Sequence, residues 1–84
     1  INLLMSDWPK DQKGRIYKVF EFKNYRQSFA FTSQVAMLAE KKNHHPEIVL
    51  DYGKVTVSLI SHDVSSITQR DLDLAEQIDK LYKV

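Results

Sequence analysis

Cysteine is absent from the 84-residue sequence, and glycine and proline occur only twice each. Without cysteine the chain has neither disulfides nor thiolate metal ligands, and nothing indicates an oxidising compartment, so we expect a cytoplasmic protein. So few glycines and prolines leave room only for a small number of short loops. No apolar run approaches the ~20 residues that cross a bilayer, so no membrane association is predicted.

An excess of charge of one sign is also missing. Twelve basic and eleven acidic residues are mixed along the chain and give a formal net charge of +1. This balance argues against direct nucleic-acid binding, which favours a basic stripe or tail. Hydrophobic residues make up 43% of the chain and aromatic residues 11%, as in a folded domain. We therefore expect a single domain over residues 1–84, whose thin core favours association into an oligomer.

Four strands are predicted. The segment Arg15–Phe22 is rich in β-branched and aromatic residues, and we expect its partner near Trp8–Asp11, across a turn at Lys13-Gly14. The segments Glu47–Tyr52 and Lys54–Ser61 flank a glycine and are predicted to form a hairpin.

Two helices complete the prediction. The first runs from Asn24, a good N-cap, to Lys42, and the second opens with Thr68-Gln69-Arg70-Asp71, which resembles a capping box. The order strand, strand, helix, strand, strand, helix indicates an α+β fold. We expect a four-stranded antiparallel sheet with both helices packed on one face.

The apolar residues of the first predicted helix cover roughly 180° of its circumference, wider than the ~100° that one packed face needs. We predict that one half of this arc lies on the sheet; it comprises Tyr25, Phe29 and Ala36. The other half is then predicted to contact a second subunit in a homodimer or homotetramer; it comprises Phe31, Val35 and Leu38.

Three histidines lie at the ends of predicted elements: His44 and His45 follow the first helix, and His62 follows the fourth strand. Polar surface is the ordinary interpretation of such positions. A zinc site is a second, although the H-x-H and H-x-x-x-H spacings are missing. Acid–base chemistry is a third, because histidine donates and accepts protons near neutral pH. Glu40 precedes His44 by four residues, a spacing that would let the carboxylate orient this imidazole, although a solvated glutamate explains it equally well.

The spacing of these residues closely resembles the signature of the pterin-4a-carbinolamine dehydratases. That signature comprises Glu40, His44-His45-Pro46, Tyr52, His62 and Asp71. Weaker similarity covers most of the remaining chain, and the family's leading helix would be reduced here to Ile1–Met5. The resemblance implies an enzyme that dehydrates 4a-hydroxytetrahydrobiopterin to quinonoid dihydrobiopterin, in tetrahydrobiopterin recycling, with no metal and no cofactor.

The resemblance also implies roles for individual residues. His44 and His62 would transfer protons, His45 would bind substrate and stabilise charge, and Glu40 would be the supporting carboxylate. Asp71 belongs to the signature, although its place in the capping box is a sufficient structural reason for it. The residues implied to contact the pterin are Asn43, Ser61, Asp63 and Trp8, the last as a wall of the pocket.

Two alternatives to catalysis come with the same resemblance. Some relatives act as a dimerisation cofactor for a homeodomain transcription factor, which implies a non-catalytic coactivator module with a transcription-factor partner and a nuclear location. A pterin-related role in molybdenum-cofactor metabolism is suggested for other relatives. The sequence does not discriminate between these roles.

Overall fold

The computed structural model describes residues 8–82. Within this range the chain forms three strands and two helices, which confirms the α+β class. In chain order they are β1 (Ile16–Glu21), α1 (Tyr25–Lys42), β2 (Glu47–Leu50), β3 (Lys54–Leu59) and α2 (Gln69–Leu81). The predicted hairpin and both predicted helices are present, whereas the prediction for Ile1–Met5 lies outside the described residues.

The sheet has the strand order β1-β3-β2, and β3 pairs antiparallel with both neighbours. Alternate side chains point to the same face because strand residues have a period of two. One face carries the buried residues of the sheet core, which are Ile16, Phe20, Val55, Val57 and Leu59. These residues form one core with buried side chains of α1 and α2, so the helices pack on this face.

The predicted fourth strand is wrong for the described part of the chain. Pairing before β1 is limited to one bridge between Lys10 and Ile16. The Asp11 carboxylate accepts the backbone N–H groups of Lys13 and Arg15, both at 2.9 Å, and so closes a tight turn. Gly14 adopts a φ of 83° there, in the left-handed region that favours glycine. Of the described residues only Trp8, Pro9 and Lys10 precede this turn, and Pro9 has no N–H with which to extend the ladder.

The face of α1 that packs on the sheet differs from the predicted one. Ser28, Phe31, Val35 and Ala39 are buried, whereas Phe29 is 56% exposed. The four buried positions recur every three or four residues and so form one stripe along the helix. The polar Ser28 can be buried in this stripe because its hydroxyl donates a hydrogen bond to the backbone oxygen of Tyr52 at 3.1 Å.

The predicted subunit interface through Phe31, Val35 and Leu38 is therefore wrong. Phe31 and Val35 are 4% and 0% exposed, and Leu38 packs against the core of the same chain. The Phe31 ring lies 4.7 Å from that of Phe20, centroid to centroid. These side chains are already packed against other residues of the same chain. The formation of an oligomer stays a prediction.

Candidate active site

The end of α1 places two of the histidines. Asn43 adopts a left-handed backbone conformation, with φ 55° and ψ 41°, which asparagine tolerates better than most residues. Its N–H donates to the backbone oxygen of Glu40 at 3.2 Å, and the His44 N–H donates to that of Ala39 at 3.1 Å. The helix therefore ends at Lys42 with Asn43 as its C-cap, and His44 and His45 follow directly. The side chain of Asn43 is exposed.

The start of α2 supplies a carboxylate. Thr68 is the N-cap of α2, and its backbone N–H donates to Asp71 Oδ2 at 2.9 Å, as the acidic residue of a capping box requires. This contact turns the Asp71 carboxylate back toward the loop that precedes the helix. Asp71 is fully buried, so its charge must be balanced by hydrogen bonds from its neighbours.

The Asp71 carboxylate joins this loop to the end of α1. Its Oδ1 lies 2.6 Å from His44 Nε2, and its Oδ2 accepts the Ser61 hydroxyl at 2.7 Å. A carboxylate only accepts hydrogen bonds, so His44 Nε2 carries the proton and Nδ1 is the basic nitrogen of the neutral ring. Within residues 8–82, His44 Nδ1 has no hydrogen-bond partner. The arrangement fixes one tautomer of a histidine whose side chain is 11% exposed.

His45 has a different partner. Its Nε2 lies 2.8 Å from Glu40 Oε1, and both side chains are exposed. The sequence pointed to a contact between Glu40 and His44 instead. That pairing requires the helix to continue through His44, but α1 ends at Lys42, and the left-handed turn at Asn43 sends His44 toward α2.

The third histidine lies beside this network. His62 is exposed and comes directly after Ser61, whose hydroxyl contacts Asp71. The next residue, Asp63, accepts a hydrogen bond from the Arg70 guanidinium at 2.8 Å. This hydrogen bond holds the pKa of Asp63 below its usual value. The chain thus places His62 and this ion pair next to Ser61, whose hydroxyl contacts the same carboxylate as His44.

Comparison with known proteins identifies the family of this chain. The sequence model of the family described as Pterin 4 alpha carbinolamine dehydratase matches residues 1–81. The chain belongs to this family. Three bacterial relatives, each named "Putative pterin-4-alpha-carbinolamine dehydratase", are 42–47% identical to it. That of Sinorhizobium fredii is 43% identical over 90% of this chain and 73% of its own length. That of Prochlorococcus marinus is 47% identical over 88% and 77%, and that of Roseiflexus is 42% identical over 92% and 82%.

Two solved structures share the fold. A protein from Brucella melitensis, described as a transcriptional coactivator/pterin dehydratase, superposes with a TM-score of 0.88 and 31% identity, covering 98% of this chain and 92% of that one. A pterin dehydratase-like protein, described as a RuBisCO assembly factor in the alpha-carboxysome, superposes with a TM-score of 0.77 and 26% identity, covering 90% and 89%. Proteins of this fold therefore carry descriptions that include both catalysis and assembly.

Trp8 is not a wall of the histidine site of this dehydratase-family chain. Its indole Nε1 donates to Asp79 Oδ2 at 3.1 Å, and its ring packs edge-on against Phe20 in the core. Asp79 lies eight residues after Asp71 on α2, which corresponds to about 12 Å along the helix. Trp8 therefore stabilises the opposite end of the helix and is 2% exposed.

Ser61 also differs from its expected role. It is fully buried, and its hydroxyl contacts Asp71 and Thr68, so the side chain faces the protein interior. Of the four residues that the family resemblance implied for pterin contact, Asn43 and Asp63 are the two with exposed side chains near the histidines.

The main contact at this candidate site that sequence reasoning missed is the one between Asp71 and His44. Asp71 was visible in the family signature and in the capping box, but each interpretation accounted for only part of the carboxylate. One oxygen caps α2 and the other holds His44. The sequence signal that could have indicated this contact was the combination of the family signature with the capping box. The carboxylate at position N3 of a capping box uses one oxygen for the cap, so its second oxygen can contact a neighbouring residue.

Neither of two surface grooves between the helices is lined by a histidine. Their volumes are about 600 Å³ and 460 Å³; the first is lined in part by Phe22, Phe31 and Gln34, the second by Leu38, Lys42 and Glu76.

Across residues 8–82, no cluster of three or more His, Cys, Asp or Glu side chains is positioned to hold a metal ion. None of the described helices is long and apolar enough to cross a membrane.

Proposed function

We propose that this protein dehydrates 4a-hydroxytetrahydropterins, including 4a-hydroxytetrahydrobiopterin, to quinonoid dihydropterins by histidine acid–base catalysis. The observation that carries this proposal is the 2.6 Å contact between His44 Nε2 and the buried Asp71 carboxylate. A buried carboxylate that holds one imidazole nitrogen leaves the other nitrogen oriented for proton transfer. Family membership supports the choice of substrate.

The reaction requires two proton transfers and no oxidant. The bond between C4a and the hydroxyl oxygen breaks, the oxygen receives a proton and leaves as water, and N5 loses a proton as the C4a=N5 double bond forms. In our proposal His44 Nδ1 accepts the N5 proton, and Asp71 stabilises the imidazolium that results. His62 in its protonated form donates to the departing hydroxyl.

His45 and Glu40 have a supporting role in this proposal. The side chains of His45 and Glu40 contact each other at 2.8 Å and are both exposed, so this contact holds the His45 imidazole at the protein surface. We propose that His45 contacts the pterin and that Glu40 orients His45. A cytoplasmic location for the reaction, expected from the sequence, stays a prediction.

A partner-binding role is the second candidate function. The observation that favours it is an apolar surface on α1, where Tyr25, Phe29 and Met37 are 50%, 56% and 74% exposed. The descriptions of the two structural neighbours as coactivator and assembly factor agree with a role of this kind. Such a role would not require proton transfer by His44 or His62.

The experiment that tests the proposal measures quinonoid product formation from 4a-hydroxytetrahydropterin by wild type, His44→Ala and His62→Ala. Removing a general acid or base lowers kcat by about 10²- to 10⁴-fold, so we expect losses in this range. His45→Ala is the matched control, for which we expect a larger change in KM than in kcat. Folded His44→Ala and His62→Ala proteins with wild-type turnover would exclude the proposed mechanism.

A further inference from the structure

A chain of hydroxyl groups continues from Asp71 toward the surface. Ser61 Oγ lies 2.7 Å from Asp71 Oδ2 and 2.8 Å from Thr68 Oγ1. The Arg70 Nε lies at 3.4 Å from Thr68 Oγ1, a long contact that ends the chain at an exposed cation. Ser61 is fully buried and Thr68 is half-buried, so water contributes little to satisfying these groups.

Counting donors fixes the direction of this chain. Ser61 has a single hydroxyl proton, and the Asp71 carboxylate can only accept, so that proton goes to Asp71. Thr68 must then donate its own hydroxyl proton to Ser61 Oγ. Arg70 has only donors and points one of them at Thr68 Oγ1. Every hydrogen bond in the chain is therefore directed toward Asp71.

From this directed chain we infer that Ser61 and Thr68 are positioning residues that hold the Asp71 carboxylate against His44 and so select the Nε2–H tautomer of His44. Neither hydroxyl contacts His44 itself; both act through Asp71. Hydrogen bonds aligned head to tail polarise one another, so the donation from Thr68 strengthens the bond from Ser61 to Asp71. The inference deepens the proposed function and rests on it for its catalytic consequence, but the tautomer of His44 is observable without any turnover.

Two pairs of variants test the inference. Ser61→Ala removes the donor to Asp71, whereas Ser61→Thr keeps a hydroxyl group. Thr68→Val removes the outer donor with nearly unchanged shape, whereas Thr68→Ser keeps it. The backbone N–H of Thr68 still donates to Asp71 in all four proteins, so the capping contact of α2 is retained.

The first measurement is the ¹⁵N chemical shift of both His44 ring nitrogens, at a pH where the ring is neutral. We expect the wild type to show the Nε2–H form, Ser61→Ala to show a mixture of tautomers, and Thr68→Val to shift in the same direction by less. The hydroxyl-retaining variants are expected to match the wild type. If a hydroxyl served only folding, its removal would lower the unfolding temperature and leave the His44 chemical shifts unchanged.

The second measurement is kcat for pterin dehydration. We expect a loss of about tenfold for Ser61→Ala, the effect of about 1.4 kcal/mol, and a smaller loss for Thr68→Val. Folded Ser61→Ala and Thr68→Val proteins with wild-type His44 shifts would overturn the inference; if Ser61→Ala does not fold, Thr68→Val decides alone. If the wild type lacks dehydratase activity but Ser61→Ala and Thr68→Val still change the His44 tautomer, the proposed function is refuted and the positioning role stands.

Discussion

At the scale of single residues, Asp71 has the most consequences because it serves two elements at once. Its two oxygens accept hydrogen bonds from His44, Ser61 and the Thr68 backbone. The sequence was sufficient to predict the histidines as a group and the cap of α2. It was insufficient to predict that His44 pairs with Asp71 and not with Glu40, because that depends on where α1 ends and how two segments 27 residues apart meet.

Replacing Asp71 with asparagine tests this double role. An amide nitrogen cannot accept a hydrogen bond, so at least one of the three donors loses its partner. We expect a loss of stability of about 1–3 kcal/mol, measured by urea unfolding, and a fall in kcat of about 100-fold or more. Asp73→Asn is the matched control, because Asp73 is exposed on the same helix and, within residues 8–82, its carboxylate accepts a side-chain hydrogen bond only from Gln69. Equal behaviour of the two variants would contradict the role of Asp71.

The ion pair of Asp63 and Arg70 makes a pH-dependent contribution to stability. The hydrogen bond from Arg70 lowers the pKa of Asp63 in the folded protein below its value in the unfolded chain. The stabilisation is therefore fully present above the ordinary pKa of an aspartate and is lost as the pH falls through the lowered pKa.

We accordingly expect the unfolding free energies of wild type and Asp63→Asn to differ at neutral pH and to converge in acid. The pair is exposed, so the difference should be small and should shrink in high salt. Chemical unfolding at several pH values measures it. A difference that stays constant from neutral to strongly acid pH would refute the role of the ion pair.

At the scale of elements, the strongly patterned segments were predictable and the packed face of α1 was not. β3 was evident from its alternation of apolar and polar residues. On α1, large apolar side chains lie on both sides of the helix, and the buried stripe includes the polar Ser28. Hydrophobicity alone therefore favoured the wrong face, and only the contacts with the sheet and with Tyr82 select the stripe that contains Phe31.

Two phenylalanines on α1 form a matched pair for testing this assignment. Phe31 is 4% exposed and packs against Phe20, Phe22 and Tyr82, whereas Phe29 is 56% exposed. We expect Phe31→Ala to cost about 3–5 kcal/mol, since it leaves a cavity in the core. Phe29→Ala should cost less than about 1 kcal/mol in the monomeric fold. Thermal unfolding compares them, and a greater loss for Phe29→Ala would mean that the two faces of α1 are assigned incorrectly.

At the scale of the whole molecule, the fold separates two surfaces. The end of α1 and the start of α2 bring His44 and Asp71 together, beside the loop that carries His62. The apolar side chains Tyr25, Phe29 and Met37 lie on the outward side of α1. If an oligomer forms, Phe31 and Val35 are not available for its interface, because both are buried within one chain. Substitutions at Tyr25, Phe29 or Met37 can therefore test partner binding without directly altering the contacts of His44 and Asp71.

The most direct test of the proposed chemistry is the rate at which quinonoid dihydropterin appears from 4a-hydroxytetrahydropterin, with and without the protein. Wild type should exceed the spontaneous rate by a wide margin, and folded His44→Ala should lose most of that excess. A wild-type rate equal to the spontaneous one, with the protein folded, would contradict the assignment of this chain as a dehydratase.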